Sequence, residues 1–106
     1  MLPDRRVPTH PGVILATEFL GPLGMTQVQL AKKLGIPVQR INELIRGKRG
    51  VTAETAWLLG GEFRTGPEFW MNLQALYDIE EAARRHSKEV RAIHPHRDTI
   101  TATAEK

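Results

Sequence analysis

The sequence contains no cysteine and few aromatic side chains, which make up 6% of its 106 residues. Without cysteine, the chain can form neither a disulfide framework nor a thiolate metal site, and it suits a reducing compartment. No apolar run approaches the roughly 20 residues needed to cross a bilayer. The start of the chain, MLPDRRVPTHPG, also lacks the apolar core of a signal peptide. These absences predict a soluble cytoplasmic protein without membrane contact.

The sequence also lacks any arrangement typical of a catalytic site. Its acidic residues lie on predicted helix surfaces, no Ser–His or Cys–His arrangement occurs, and no glycine-rich loop follows a strand. His10 is best interpreted as a residue that starts a helix. His94-Pro95-His96 has no neighbouring Cys, Asp or Glu cluster to complete a metal site. We therefore expect neither an enzyme nor a bound metal or other cofactor.

The charged residues are unevenly distributed along the chain. Residues 26–49 carry six basic side chains and one acidic, a net charge of +5, whereas residues 50–83 carry six acidic and one basic, a net charge of −5. Such runs usually form solvated surfaces. The alternative is a basic half that binds a polyanion and an acidic half that is held away from it.

Hydrophobic periodicity predicts an all-α fold of five helices and no strand. Glycine, proline and a Thr-x-x-Gln capping box indicate where the helices begin and end. The predicted helices run from His10-Pro11-Gly12 to Gly21-Pro22, from Thr26 to Gly35, from Pro37 to Gly47, from Thr52 to about Phe63, and onward from Gly66-Pro67-Glu68. Residues 1–86 are expected to form one compact domain. Residues 87–106 lose the apolar stripe and are expected to form a flexible, mobile C-terminal tail.

Three residues of the second and third helices are spaced as in a helix-turn-helix. Counting from Gln27, Ala31 stands at the fifth position, Gly35 at the ninth and Ile41 at the fifteenth. A small residue lets the two helices approach, glycine allows a positive φ in the turn, and the β-branched side chain fills the angle between the helices. Because these positions depend on one another, their joint occurrence predicts a helix-turn-helix.

The outer face of the third helix has side chains suited to the major groove of double-stranded DNA. If Ile41, Leu44 and Ile45 face the core, the remaining side chains face solvent or DNA. Gln and Arg can read adenine and guanine, and Glu can accept a hydrogen bond from cytosine N4. A merely solvated helix would carry Glu–Lys pairs at four-residue spacing, and none occurs here. The predicted base-reading residues are Val38, Gln39, Arg40, Asn42 and Glu43; the predicted phosphate-binding residues are Gln27, Arg46, Lys48 and Arg49.

The fifth helix is apolar on more than one face. Its apolar side chains exceed what a single stripe packed on four small helices would cover, which predicts a homodimer interface. The residues assigned to that interface are Phe69, Trp70, Leu73, Leu76 and Tyr77. The alternative is that all of them belong to the core of one subunit.

Two stretches, HPGVILATEFLGPLGMTQVQLAKKLGIPVQRINELIRGKRGVTAETA and PEFWMNLQALYDIE, resemble a known family. Together they are similar to the HigA-type antitoxins, also labelled VapI-like, of the Xre helix-turn-helix group. The resemblance covers most of residues 10–80 and implies a λ-repressor-like domain. It further implies a homodimer that represses its own toxin–antitoxin operon and binds a HigB-like, messenger-RNA-cleaving toxin of RelE-like fold.

The fourth helix departs from the family pattern. Relatives generally have better helix formers than Gly60-Gly61, and often glycine or aspartate in place of Arg64. Each glycine costs about 1 kcal/mol in a helix interior, which puts the straightness of this helix in doubt. Of Trp57 and Leu58, at least one is expected in the core, while an exposed Trp57 would suit a protein partner.

Two other functions are compatible with parts of this sequence pattern. A stand-alone Xre-family transcriptional repressor would bind DNA without a toxin partner, and the identity of the neighbouring gene separates it from an antitoxin. The other alternative is a protein-binding module that has lost DNA binding, and measured DNA binding would exclude it.

Overall fold

The computed structural model describes residues 9–86, which fold into five helices and contain no strand. Helix α1 consists of three consecutive stretches, Pro11–Ile14, Leu15–Leu20 and Gly21–Leu23, and is followed by α2 (Gln27–Leu34), α3 (Val38–Ile45), α4 (Ala53–Phe63) and α5 (Pro67–Arg85). The predicted all-α architecture is confirmed. The predicted tail, including His94-Pro95-His96, lies outside the described residues.

Helix α1 continues past its predicted end at Gly21-Pro22. Its middle stretch is a π-helix in which Gly21 N donates to Ala16 O, and the helix ends only at Gly24, where φ is 64°. A proline inside a helix lacks a donor, and its ring crowds the carbonyl four residues earlier. The wider π-helical turns that precede Pro22 accommodate both effects. The predicted end was therefore wrong.

One hydrophobic core joins all five helices. It contains the buried residues Leu15, Leu20, Leu30, Ala31, Leu34, Ile41, Leu44, Val51, Ala56, Leu59 and Trp70. Trp70 is fully buried, with its ring centroid 5.1 Å from those of Phe19 and Phe69. The assignment of Trp70 to a dimer interface was wrong, because a side chain enclosed by its own subunit cannot contact another.

Helices α4 and α5 meet at a glycine. A β-carbon on Gly60 would collide with the backbone of Gly66 and would lie 2.6 Å from Pro67 N. The glycine thus lets the start of α5 lie directly against α4, and Gly66 N donates to Gly60 O over 3.3 Å. Helix α4 continues unbroken through both glycines. Leu58 packs against the core while Trp57 remains 69% exposed, as expected for this pair.

The first turn of α1 holds the end of α3 in place. His10 caps α1 by accepting a hydrogen bond at Nδ1 from Gly12 N over 2.9 Å, which confirms its interpretation as a helix-start residue. A β-carbon on Gly12 would collide with Leu44 O and lie 2.8 Å from the Cα of Ile45. Backbone contact between α1 and α3 therefore fixes where the outer face of α3 points.

Candidate nucleic-acid interface

Helices α2 and α3 form the predicted helix-turn-helix geometry. The capping box is complete: Thr26 Oγ1 accepts from Gln29 N over 3.0 Å, and Gln29 Oε1 accepts from Thr26 N over 2.8 Å. Gly35 has a φ of 71° and ends α2, where Ile36 N donates to Ala31 O over 3.1 Å. The turn between the two helices is thus formed at Gly35, as the sequence predicts.

The inner faces of both helices are largely as expected. Ala31 and Ile41 are both buried, so the small residue and the β-branched residue meet the core at the helix crossing. Val28, an apolar residue of α2 at the start of the helix, is 53% exposed and lies outside the core. Pro37 differs slightly from the prediction: it is the N-cap residue of α3, with Val38 as the first helical residue.

The side chains predicted to read bases lie on the outer face of α3, but the four polar ones all have partners within the protein. Val38 and Gln39 are exposed at its N-terminus. Arg40 is half-buried, with Nη1 3.9 Å from Glu54 Oε1 at the start of α4. Asn42 Nδ2 donates to Gln27 Oε1 over 3.2 Å, so it connects α3 to the first residue of α2. This bond occupies the carbonyl oxygen of Gln27 and leaves its amide nitrogen free to donate to a phosphate.

Glu43 is bonded through both carboxylate oxygens. Its Oε1 lies 3.0 Å from Arg49 Nε and 2.8 Å from Arg49 Nη2, and its Oε2 accepts from Gln39 Nε2 over 3.3 Å. The hydrogen bond from Arg49 lowers the pKa of Glu43, which further favours the carboxylate over the protonated acid. Reading a cytosine through Glu43 would require at least one of these bonds to break.

The turn after α3 presents two unpaired cations. Gly47 has a φ of 75°, Gly47 N donates to Leu44 O over 3.1 Å, and Lys48 N donates to Glu43 O over 2.8 Å. This pattern is a Schellman motif, which ends the helix and directs the chain back along it. Arg46 and Lys48 are exposed beside the turn, and neither forms an ion pair with any residue of the described range. Of the predicted phosphate-binding cations, only Arg49 is held by a carboxylate.

Sequence reasoning missed the ion pairs of Arg40 and Arg49. The sequence does contain a signal for the pair of Arg49 with Glu43. The two residues have opposite charge and stand on either side of Gly47, the glycine predicted to end the helix. The pairing of Arg40 with Glu54 depends on where the chain places the start of α4 relative to α3, which no local pattern encodes.

Other kinds of site have little support between residues 9 and 86. Within that range, no group of three or more potential metal-ligating side chains comes together. Nor is any helix of this part of the chain long and apolar enough to span a membrane.

The fold and this outer face define a helix-turn-helix domain, and residues 18–70 match the helix-turn-helix family. The chain is 34% identical to antitoxin HigA-1 of Vibrio cholerae over 96 residues, which cover 90% of each protein. It is 44% identical to a solved HigA-family antidote protein of Coxiella burnetii, with a TM-score of 0.77, over 82% of this chain and 95% of the other. The antitoxin HigA of Pseudomonas aeruginosa, solved with the higBA promoter, is 37% identical with a TM-score of 0.75, over 78% of this chain and 90% of the other.

The chain therefore belongs to the Xre-type helix-turn-helix family, in the group that contains the HigA antitoxins.

Proposed function

We propose that this protein is the antitoxin of a HigBA-like toxin–antitoxin module and that it represses its own operon by binding operator DNA. One observation carries the DNA-binding part. The helix-turn-helix presents the exposed Gln39 at the N-terminus of α3 and, at its C-terminus, Arg46 and Lys48, which form no ion pair with residues 9–86. A similar antitoxin, HigA of Pseudomonas aeruginosa, was solved with promoter DNA.

The proposed contacts divide into base reading and phosphate binding. Gln39 and Arg40 have the donors and acceptors that distinguish base edges, and Val38 can contact a thymine methyl group. Arg46 and Lys48 would bind phosphates on either side of the groove, and the amide of Gln27 would bind another at the N-terminus of α2. The phosphate contacts position the helix, whereas the base contacts specify the operator.

We propose that the protein acts as a two-fold homodimer joined through α5. Apolar side chains remain exposed along this helix: Phe69 is 38% exposed, Leu76 59% and Ile79 55%. Leu73 packs against the core, and the Tyr77 ring lies 4.8 Å from that of His10, so these two would border the interface rather than form its centre. Two subunits would present their α3 helices to half-sites about 34 Å apart, one turn of DNA.

We propose further that the protein binds and neutralises a HigB-like, messenger-RNA-cleaving toxin of RelE-like fold. This rests on the similarity to HigA antitoxins over most of the chain. The test is expression of the neighbouring open reading frame with and without this protein. Growth arrest that this protein relieves, together with a complex that purifies as one species, is expected. If neither occurs, the protein is a repressor without a toxin partner.

The DNA-binding proposal is tested by measuring affinity for a duplex that spans the region upstream of the gene and for a scrambled duplex, each at two salt concentrations. Affinity for both should fall steeply with salt, and the upstream duplex should bind more tightly. Lys48→Ala should weaken both duplexes equally, whereas Gln39→Ala should lose about 1–3 kcal/mol of discrimination. Equal affinity of the wild type for both duplexes would reject sequence-specific repression.

A further inference from the structure

The outer face of α3 contains one carboxylate whose position is unusual for a DNA-binding surface. Glu43 lies among cations that are proposed to bind phosphates, and a free carboxylate there would be repelled by the DNA backbone. Glu43 is not free, because its two oxygens accept from Arg49 and Gln39. Its side chain is 29% exposed and that of Arg49 is 47% exposed, so the pair lies on the surface that would face DNA.

The backbone holds the same two segments together. Lys48 N donates to Glu43 O over 2.8 Å, so the turn after α3 is fixed to Glu43 through its main chain as well as its side chain. Gln39 stands four residues before Glu43, one turn earlier on the same face, and its amide nitrogen is directed at Oε2. Glu43 therefore links a predicted base-reading side chain to a predicted phosphate-binding one.

We infer that Glu43 is a positioning residue that increases operator specificity by orienting Gln39 and by keeping Arg49 from binding any phosphate it meets. The inference rests on the proposed DNA-binding function. With Glu43 present, the Gln39 amide is held in one orientation and keeps its carbonyl oxygen free for a base. The Arg49 guanidinium leaves Glu43 only where another acceptor can replace that carboxylate. Glu43 itself contacts no base.

Substituting Glu43→Gln tests this, because glutamine keeps the side-chain shape and removes the charge. Affinity for the scrambled duplex should rise, because one repulsive charge is lost and Arg49 becomes available. The slope of log affinity against log salt should become more negative by about 0.9, the value for one added phosphate contact. The ratio of affinities for the upstream and scrambled duplexes should fall about tenfold, as for one lost bidentate base contact.

A matched control separates positioning from a general change in charge. Glu62 pairs with Lys33 over 3.8 Å on a surface outside the predicted DNA contacts. Glu62→Gln therefore makes the same chemical change and breaks one ion pair, and it should leave the affinity ratio unchanged. Thermal melts followed by circular dichroism should show that both variants remain folded.

Arg49→Gln, alone and combined with Glu43→Gln, completes the test, because it removes the same ion pair from the side of Arg49. If Glu43 acts through Arg49, the change in salt slope that Glu43→Gln causes should disappear in the Arg49→Gln background. A wild type that prefers the upstream duplex, combined with a Glu43→Gln variant that behaves like Glu62→Gln, would overturn the inference and leave the proposed function intact. A wild type without any preference would overturn both.

Discussion

The two halves of this domain end their helices in different ways. In the basic half, the residues that end α2 and α3 in the left-handed region are Gly35 and Gly47, with φ of 71° and 75°. In the acidic half, α4 ends at Arg64 with a φ of 59°, the single described residue other than glycine with positive φ. Left-handed backbone costs a residue with a β-carbon roughly 1–2 kcal/mol, so the acidic half contains strain that the helix-turn-helix lacks.

The halves also differ in how completely they bury their apolar side chains. Both inward-facing positions of the helix-turn-helix crossing, Ala31 and Ile41, are at most 4% exposed. Helix α5 buries only Trp70 and exposes Leu76 and Ile79. The helix-turn-helix is therefore complete within one subunit, whereas α5 has the composition of an interface. The experiments on α5, on the glycines of α4 and on Arg64 test this contrast, and the one on His10 tests the contact of α1 with α5; they are given from the largest expected effect to the smallest.

The first prediction concerns the exposed apolar face of α5. Leu76→Glu and Ile79→Glu should each dissociate the proposed dimer, because a two-fold interface contains every substitution twice. Losing about 1.5 kcal/mol or more per buried side chain on both subunits raises the dissociation constant more than a hundredfold. Sedimentation velocity measures this, with circular dichroism to show that the variants stay folded.

The matched control is Leu23→Glu, which makes the same change at a residue that is 60% exposed but lies outside α5. That variant should remain dimeric. A wild type that is monomeric at micromolar concentration, or folded α5 variants that still dimerise, would show that the exposed face has another purpose.

The second prediction compares the adjacent glycines of α4. Gly60→Ala should lower the free energy of unfolding by about 3 kcal/mol, because its β-carbon meets the backbone at the start of α5, which cannot yield as a side chain could. Gly61→Ala meets nothing within 4 Å and should raise the free energy of unfolding by up to about 1 kcal/mol. Urea unfolding of both variants gives the comparison, and equal effects would contradict the close approach.

The third prediction concerns His10, where α1 meets α5. Burial lowers the pKa of His10 below its ordinary value of 6.5, and the carboxylate of Asp78 opposes part of that shift. Between the lowered pKa and 6.5 the unfolded chain binds more protons than the folded one. The contribution of His10 to stability is therefore complete above pH 6.5 and is lost as the pH falls through this window.

Protonation also removes the Nδ1 acceptor that caps α1. The expected loss is about 1 kcal/mol, the usual value of an N-cap. Urea unfolding at one pH above and one below 6.5 measures it. His10→Asn keeps a capping acceptor that does not titrate, so its stability should change less across this window. An unchanged pH dependence in that variant would assign the effect to another group.

The fourth prediction tests the helix ends directly. Arg64→Gly should raise the free energy of unfolding by about 0.5–1 kcal/mol, because relief of left-handed strain is partly offset by the greater freedom of glycine in the unfolded chain. Arg64→Ala keeps the β-carbon and should bring no such gain. In the basic half, Gly35→Ala should lower stability, since it introduces the strain that Arg64 already has. Thermal or urea unfolding of the three variants decides whether the two halves differ in this way.

Much of the candidate site could be predicted because its signals are local. Thr26 with Gln29, Gly35 and Gly47 encode helix ends through bonds that span a few residues, and the structure forms each of them. The outward position of Gln39 follows from the period of α3 once Ile41 and Leu44 are assigned to the core. Where local signals conflicted, prediction failed: Pro22 indicated a helix end, but π-helical turns let α1 continue to Leu23.

The sequence by itself therefore determined the helices of the binding unit, the small and β-branched residues at its crossing, and the family to which the chain is similar. Only the tertiary structure decided which tryptophan is buried, since Trp70 packs against Phe19 from α1 whereas Trp57 is 69% exposed. It also decided that α5 can approach α4 closely only where residue 60 is glycine, and that Glu43 forms an ion pair with Arg49. The physical reason is the sequence separation of the interacting residues. Helix caps and turns are formed by residues close together in the sequence. Burial, close helix approach and ion pairing also depend on which helices pack together and on where the chain returns after a turn.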